Sequence, residues 1–301
     1  MKIIRRRFIS TTIAGATGIV LNRSLLANKI VKYTVPDPFE LVHLGKTGIK
    51  VSLISAGTGA HGGNRQSNMT RLGKEKFEFL LNYALERGIR FFDCADTYGT
   101  HPYIANAFKS VPRDKYVLSS KIWLHEGGIL EQERPNADVV VNRFLKEFNT
   151  DYIDLMLLHC LISPDWPKKF EKQMEILTKL KEKGIIRAHG VSVHSLDAMK
   201  ACLNNPWVDT VHARINAYGT AMDNKDPDIV AEVVKKLHDE GKGIIGMKLI
   251  GNGTFKNEPE KIDNSIKYVM GLGAVDTLAV GFEQPGEIDD FAKRLENALK
   301  I

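Results

Sequence analysis

Between residues 51 and 281, short and nearly continuous apolar runs alternate with stretches of 3.6-residue periodicity. That alternation leaves very few folds open. The apolar runs fall at 51–56, 90–95, 116–122, 153–160, 188–193, 210–215, 243–249 and 277–281. Helical periodicity fills the intervals at 74–86, 137–148, 169–183, 198–203, 228–240, 260–270 and 287–299, with a short helix around 103–108. Gly88, Gly184 and Gly241 follow periodic segments, where a left-handed cap is needed. Strands that are apolar at consecutive positions belong to a parallel sheet covered on both faces. Eight strands alternating with eight helices in about 250 residues predict a (β/α)8 barrel of the TIM type. A doubly wound sheet would carry a Gly-x-Gly-x-x-Gly turn leading into a helix. Here the first run enters Gly57-Thr58-Gly59-Ala60-His61-Gly62-Gly63, with different spacing and no immediate helix. Upstream, Leu44-Gly45-Lys46-Thr47-Gly48 within 39–51 predicts an N-terminal β-hairpin.

The first thirty residues have another character. Arg5, Arg6 and Arg7 precede a short apolar run from Ile13 to Leu21, rich in Ala and Gly. A basic start with a modest apolar middle is the shape of an export leader. The string Arg5-Arg6-x-Phe8-Ile9 resembles the twin-arginine export signal. The run falls short of the roughly 20 apolar residues that span a bilayer. The expected organisation is therefore a leader at 1–30 and a catalytic barrel at 38–301. The mature protein has no stable membrane span and lies in the periplasm after passing the export machinery. A leader that does not function would leave it in the cytoplasm.

Composition narrows the class further. With 43% apolar and 26% charged residues the chain is an ordinary globular one. Six cations of the net +6 sit in the leader (Lys2, Arg5, Arg6, Arg7, Arg23, Lys29), which leaves the remainder near neutral. No basic stripe marks a nucleic-acid surface. Cys94, Cys160 and Cys202 are odd in number and lack a CxxC, so they are read as buried free thiols rather than disulfides or metal ligands.

In such a barrel, chemistry gathers where strands end. Asp93 ends the second strand with Tyr98 five residues on, Lys121 ends the third, and His159 ends the fourth. Together they suit proton transfer to a carbonyl oxygen. A free tyrosine is a reluctant acid at neutral pH, and a nearby ammonium makes it a better donor. Asp93 would hold Lys121, and His159 would polarise the carbonyl.

Phe91-Phe92-Asp93-Cys94-Ala95-Asp96-Thr97-Tyr98-Gly99 resembles the aldo-keto reductase signature. Ser120-Lys121, Leu157-Leu158-His159, Gly190-Val191-Ser192 and Gly246-Met247-Lys248 follow in the same order, and the resemblance runs from about residue 42 to 290. It implies a nicotinamide cofactor and a catalytic tetrad of Asp93, Tyr98, Lys121 and His159. It further implies that Ser192 binds the carboxamide. Where that family has Gln this chain has His212, which is expected to make one bond to the same group. Thr58, Asp93 and Phe282 complete the expected cofactor set. Lys248, Gly251 and Gly253 suit a pyrophosphate, because glycines admit backbone N–H groups and Lys248 adds charge. The resemblance implies NADP(H), but the family's adenosine-end Arg is replaced by Glu287, which leaves NAD(H) open; Lys293 or Arg294 would have to reach round to a 2′-phosphate. Trp123 and Trp166 are read as aromatic walls for an apolar or sugar-like carbonyl compound, or the matching alcohol. A cofactor-binding redox sensor or partner protein with little turnover is the alternative. A glycosidase is disfavoured, because Asp93 is the only clear strand-end carboxylate.

Overall fold

The computed structural model describes residues 37–300; the leader expected at 1–30 lies outside them. The described residues open with an antiparallel hairpin, β1 (Leu41–His43) paired with β2 (Lys50–Ser52). Eight parallel strands then close a barrel: β3 (Ile54–Gly57), β4 (Phe91–Asp93), β5 (Val117–Ile122), β6 (Ile153–Leu161), β7 (Ile186–Val193), β8 (Thr210–Arg214), β9 (Gly243–Met247) and β10 (Thr277–Val280). They neighbour one another in sequence order, with β10 closing on β3. Both the barrel and the hairpin are those expected from the sequence.

Among the described residues ten α-helices accompany the strands: α1 (Asn68–Arg71), α2 (Lys74–Arg87), α3 (His101–Ala107), α4 (Ala137–Phe148), α5 (Trp166–Lys169), α6 (Glu171–Glu182), α7 (Leu196–Lys200), α8 (Pro227–Asp239), α9 (Pro259–Gly271) and α10 (Pro285–Leu299). The face of α4 shows why the pattern is legible: Val140, Val141, Phe144 and Phe148 are buried at helical spacing against the sheet. Asn149 then takes φ 52° and ends the helix. Two expected elements divide. The 51–56 run splits, because Val51 pairs with Val42 in the hairpin while the barrel strand begins at Ile54. The 169–183 stretch becomes α5 and α6, separated at Phe170. Among the described residues no helix is long and apolar enough to cross a membrane.

The hairpin seals one end of the barrel. Leu44, Ile49 and Val51 pack on Phe91, Val117, Leu155, Ala188 and Ile245. Gly45, at φ +50°, lies so close to the 241–243 backbone that a Cβ there would stand 2.4 Å from Gly243 N. Counting by twos from that sealed layer along β4, β5, β6 and β7 reaches Asp93, Lys121, His159 and Ser192 at the open end.

Candidate active site

Tyr98 is placed by a short 3₁₀ turn, Asp96–Tyr98, that ends at Gly99 with φ +67°. Only glycine fits at that end, because a Cβ on Gly99 would stand 2.0 Å from Arg65 O. Asp96 anchors the turn. Its Oδ2 accepts from Arg143 Nη2 at 2.6 Å, and its Oδ1 accepts from Arg65 Nε at 3.2 Å. The loop after β3 then closes on the ring. A Cβ on Gly59 would stand 2.2 Å from Tyr98 Cε2 and Cζ, and one on Gly62 would stand 2.6 Å from Cδ1. The Gly57–Gly63 stretch therefore works as a clamp on Tyr98.

The four expected catalytic residues converge. Lys121 Nζ donates to Asp93 Oδ1 at 2.7 Å and to Cys94 O at 2.7 Å. The phenol oxygen of Tyr98 lies 3.4 Å from His159 Nε2. Lys121 Nζ stands 5.1 Å from the Tyr98 ring centroid, over the ring. Burial and the negative charge of Asp93 push the Tyr98 hydroxyl well above the ordinary tyrosine range. Burial, followed by the charge of Lys121, holds His159 well below the ordinary imidazole range. The site thus pairs a protonated phenol with a neutral imidazole. Asp93 stays ionised despite its burial, because Lys121 and His212 hold its carboxyl far below the usual range.

Other expected residues divide. Phe282, Lys248 and Gly253 line a cleft of about 850 Å³, with Asp93, Tyr98, Glu283, Glu287 and Asp290 among its other walls. Gly251 is buried, packed on the Phe255 ring. Ser192 is buried in register with His212. Trp123 stands beside the site, its ring 5.4 Å from that of His159.

Three expectations are corrected. Thr58 is only 1% exposed, and its Oγ1 donates to Asp93 O at 2.9 Å, so it braces the Asp93 backbone instead of facing the cleft. His212 turns inward and its Nε2 meets Asp93 Oδ1 at 2.9 Å. Trp166 is 1% exposed, with Nε1 donating to Ala198 O at 3.1 Å, so it packs into the wall and offers no surface to a substrate. Arg294 does not reach round: Asp290 and Asp263 hold it at 2.6 and 2.8 Å. Cys94 and Cys202 are buried free thiols as expected, whereas Cys160 is only partly buried, its Sγ 3.7 Å from His194 Nε2.

Some participants went unread. Ser119 Oγ donates to Asp93 Oδ1 at 2.6 Å, and the signal was available, since Ser119 lies two residues before Lys121 on the same strand face. His125 Nε2 meets His159 O at 3.0 Å, across a loop that periodicity does not describe. Ser120, His101 and Glu147 form a chain of 2.9 and 2.6 Å contacts that mimics a hydrolase triad. Ser120 is fully buried on the opposite strand face from Lys121, so no acyl group reaches it.

The model of the aldo/keto reductase family matches residues 53–267. The chain is 32% identical over 232 residues to aldo-keto reductase YhdN of Bacillus subtilis, a match covering 73% of this chain and 67% of that protein. It is 27% identical over 225 residues to the soybean (Glycine max) protein "Probable aldo-keto reductase 1", covering 71% of this chain and 60% of that one. The chain therefore spans under two thirds of the soybean protein. An aldo-keto reductase from Klebsiella pneumoniae, solved with NADPH, superposes with a TM-score of 0.60 at 17% identity, covering 87% of this chain and 90% of that one. The barrel, the converged tetrad and a family match over well more than half the sequence lead to one assignment: this chain belongs to the aldo/keto reductase family.

Proposed function

We propose that the protein is an NADP(H)-dependent oxidoreductase that interconverts a small carbonyl compound and its alcohol, with NAD(H) as the alternative cofactor. The observation that carries this reading is the meeting of Tyr98 and His159 at 3.4 Å beside the Lys121–Asp93 pair, with Tyr98 and Asp93 lining the cleft. The cleft suits a dinucleotide on its own chemistry. Asp93 Oδ1 takes three donors, which leaves the other oxygen to accept a hydroxyl from the cleft. Gly57, Gly253 and Gly281 line it, where backbone can come close to a ligand. Lys248 and Lys256 supply positive charge for phosphates, while Glu283, Glu287 and Asp290 at the other walls suit a free ribose hydroxyl better than a phosphate. The Klebsiella structure's NADPH favours NADP(H).

When bound, the nicotinamide supplies or accepts the hydride. Tyr98 gives its hydroxyl proton to the carbonyl oxygen as the carbon gains the hydride, so the alcohol forms with both atoms accounted for. The raised pKa keeps that proton on Tyr98 until negative charge develops on the substrate oxygen. His159, neutral, holds the same oxygen. Lys121 keeps positive charge over the Tyr98 ring, which eases the loss of the proton. Trp123 offers an apolar wall to the substrate. We further propose that residues 1–30 are a twin-arginine export leader, that 38–301 form the exported enzyme, and that the protein crosses the membrane folded with cofactor retained.

The test titrates the purified protein with NADPH and NADH, then follows loss of reduced-nicotinamide absorbance over a panel of aldehydes, ketones and sugars. Tyr98→Phe should lower kcat at least about 100-fold with cofactor affinity kept. Equal turnover by wild type and variant, or no cofactor binding, would refute the proposal. For the leader, Arg5→Lys/Arg6→Lys should retain the protein in the cytoplasm; unchanged fractionation sinks the export reading.

A further inference from the structure

Three donors converge on Asp93 Oδ1: Lys121 Nζ at 2.7 Å, Ser119 Oγ at 2.6 Å and His212 Nε2 at 2.9 Å. Two of them come from β5, which neighbours β4. His212 comes from β8, 119 residues away and across the barrel interior. Its side chain is fully buried, and its other ring nitrogen, Nδ1, has no hydrogen-bond partner among the described residues. A donor at Nε2 and a bare Nδ1 define one tautomer of a neutral ring. Burial keeps that ring neutral by pushing its pKa down. As a neutral donor His212 adds a hydrogen bond to Asp93 without a second positive charge beside Lys121.

We propose that His212 is a positioning residue for the reaction: its neutral imidazole pins the inner oxygen of Asp93 from the far side of the barrel, fixing the carboxylate that orients Lys121 against Tyr98. This role rests on the oxidoreductase reading above. Without His212, Asp93 is held only from its own neighbourhood. Its carboxylate then turns, and the Lys121 ammonium moves with it. Tyr98 loses the positive charge over its ring, so chemistry slows while cofactor affinity holds. A residue serving the carboxamide would show the opposite split.

The experiment compares wild type, His212→Leu and His212→Gln for kcat, cofactor Kd and thermal unfolding. Gln keeps a side-chain N–H donor and Leu removes it. His212→Leu should lower kcat about tenfold or more, the scale of a hydrogen bond to a charged group, with Kd changed less than about twofold. His212→Gln should restore most of the rate. A change confined to Kd, or an unchanged kcat in a folded His212→Leu protein, overturns the proposal. A second measurement separates its failure from that of the function reading: ¹⁵N NMR of histidine-labelled wild type, with His212 assigned by the signal missing in His212→Leu. A neutral ring protonated at Nε2 supports the clamp even if no substrate is turned over; protonation at Nδ1, or a charged ring at neutral pH, overturns it.

Discussion

Replacing Gly59 by alanine would put a methyl carbon 2.2 Å from Cε2 and Cζ of Tyr98. Ordinary contact begins near 3.4 Å, so ring or loop must retreat by about 1.2 Å. The clashing atoms belong to an aromatic ring held at its base by the Asp96 turn, and a stiff plate does not bend aside. Displacement of a reacting group by about 1 Å costs on the order of 100-fold in rate. Gly59→Ala should therefore lower kcat about 100-fold, while strain of about 1–3 kcal/mol leaves the protein folded. Gly63→Ala is the control in the same loop, because a Cβ there meets nothing within 4 Å. Steady-state reduction, cofactor titration and urea unfolding on the three proteins separate the effects. If Gly59→Ala turns over at the wild-type rate, or if both variants lose activity equally, the loop is not a clamp on Tyr98.

The protonation states give a pH profile. Tyr98 loses its proton only above the ordinary tyrosine pKa of 10, and His159 gains one only below 6.5, so kcat for reduction should be level between those values; a falling limb near pH 8 would contradict it. In the cleft wall, Glu287→Arg exchanges a carboxylate for a guanidinium that donates to a 2′-phosphate and should raise the ratio of NADPH to NADH affinity about tenfold, read by fluorescence titration of both. Stability has its own test at Asp154, a buried carboxylate that accepts from Arg113 Nη2 at 2.6 Å, Arg187 Nη1 at 2.7 Å and Leu118 N at 2.9 Å. Asp154→Ala should cost about 3 kcal/mol, with solvent access to both arginines tempering the loss, as measured by urea unfolding.

The barrel was readable because its rules are local. Apolar runs and helical periodicity are short-range patterns, and an eightfold alternation has few closed solutions. Asp93, Lys121 and His159 were readable for the same reason: each ends its own strand, and strand ends of a closed barrel share one mouth. Failures came where local pattern was silent. Val51 reads as the start of a barrel strand until the hairpin claims it. Trp166 reads as a loop aromatic until α5 buries it against the Trp207 ring, 6.2 Å away.

The amino-acid order by itself determined the fold class, the family signature and the membership of the tetrad, since each depends on residue type at short spacing. Only the tertiary structure decided how those residues are wired. Closure of the barrel carries His212 to Asp93 from 119 residues away. Burial and the charge of Asp93 raise the pKa of Tyr98. Two glycines that spell no phosphate motif become the walls around its ring. Hydrogen bonding and desolvation depend on distance in space, and that distance exists only once the strands have met.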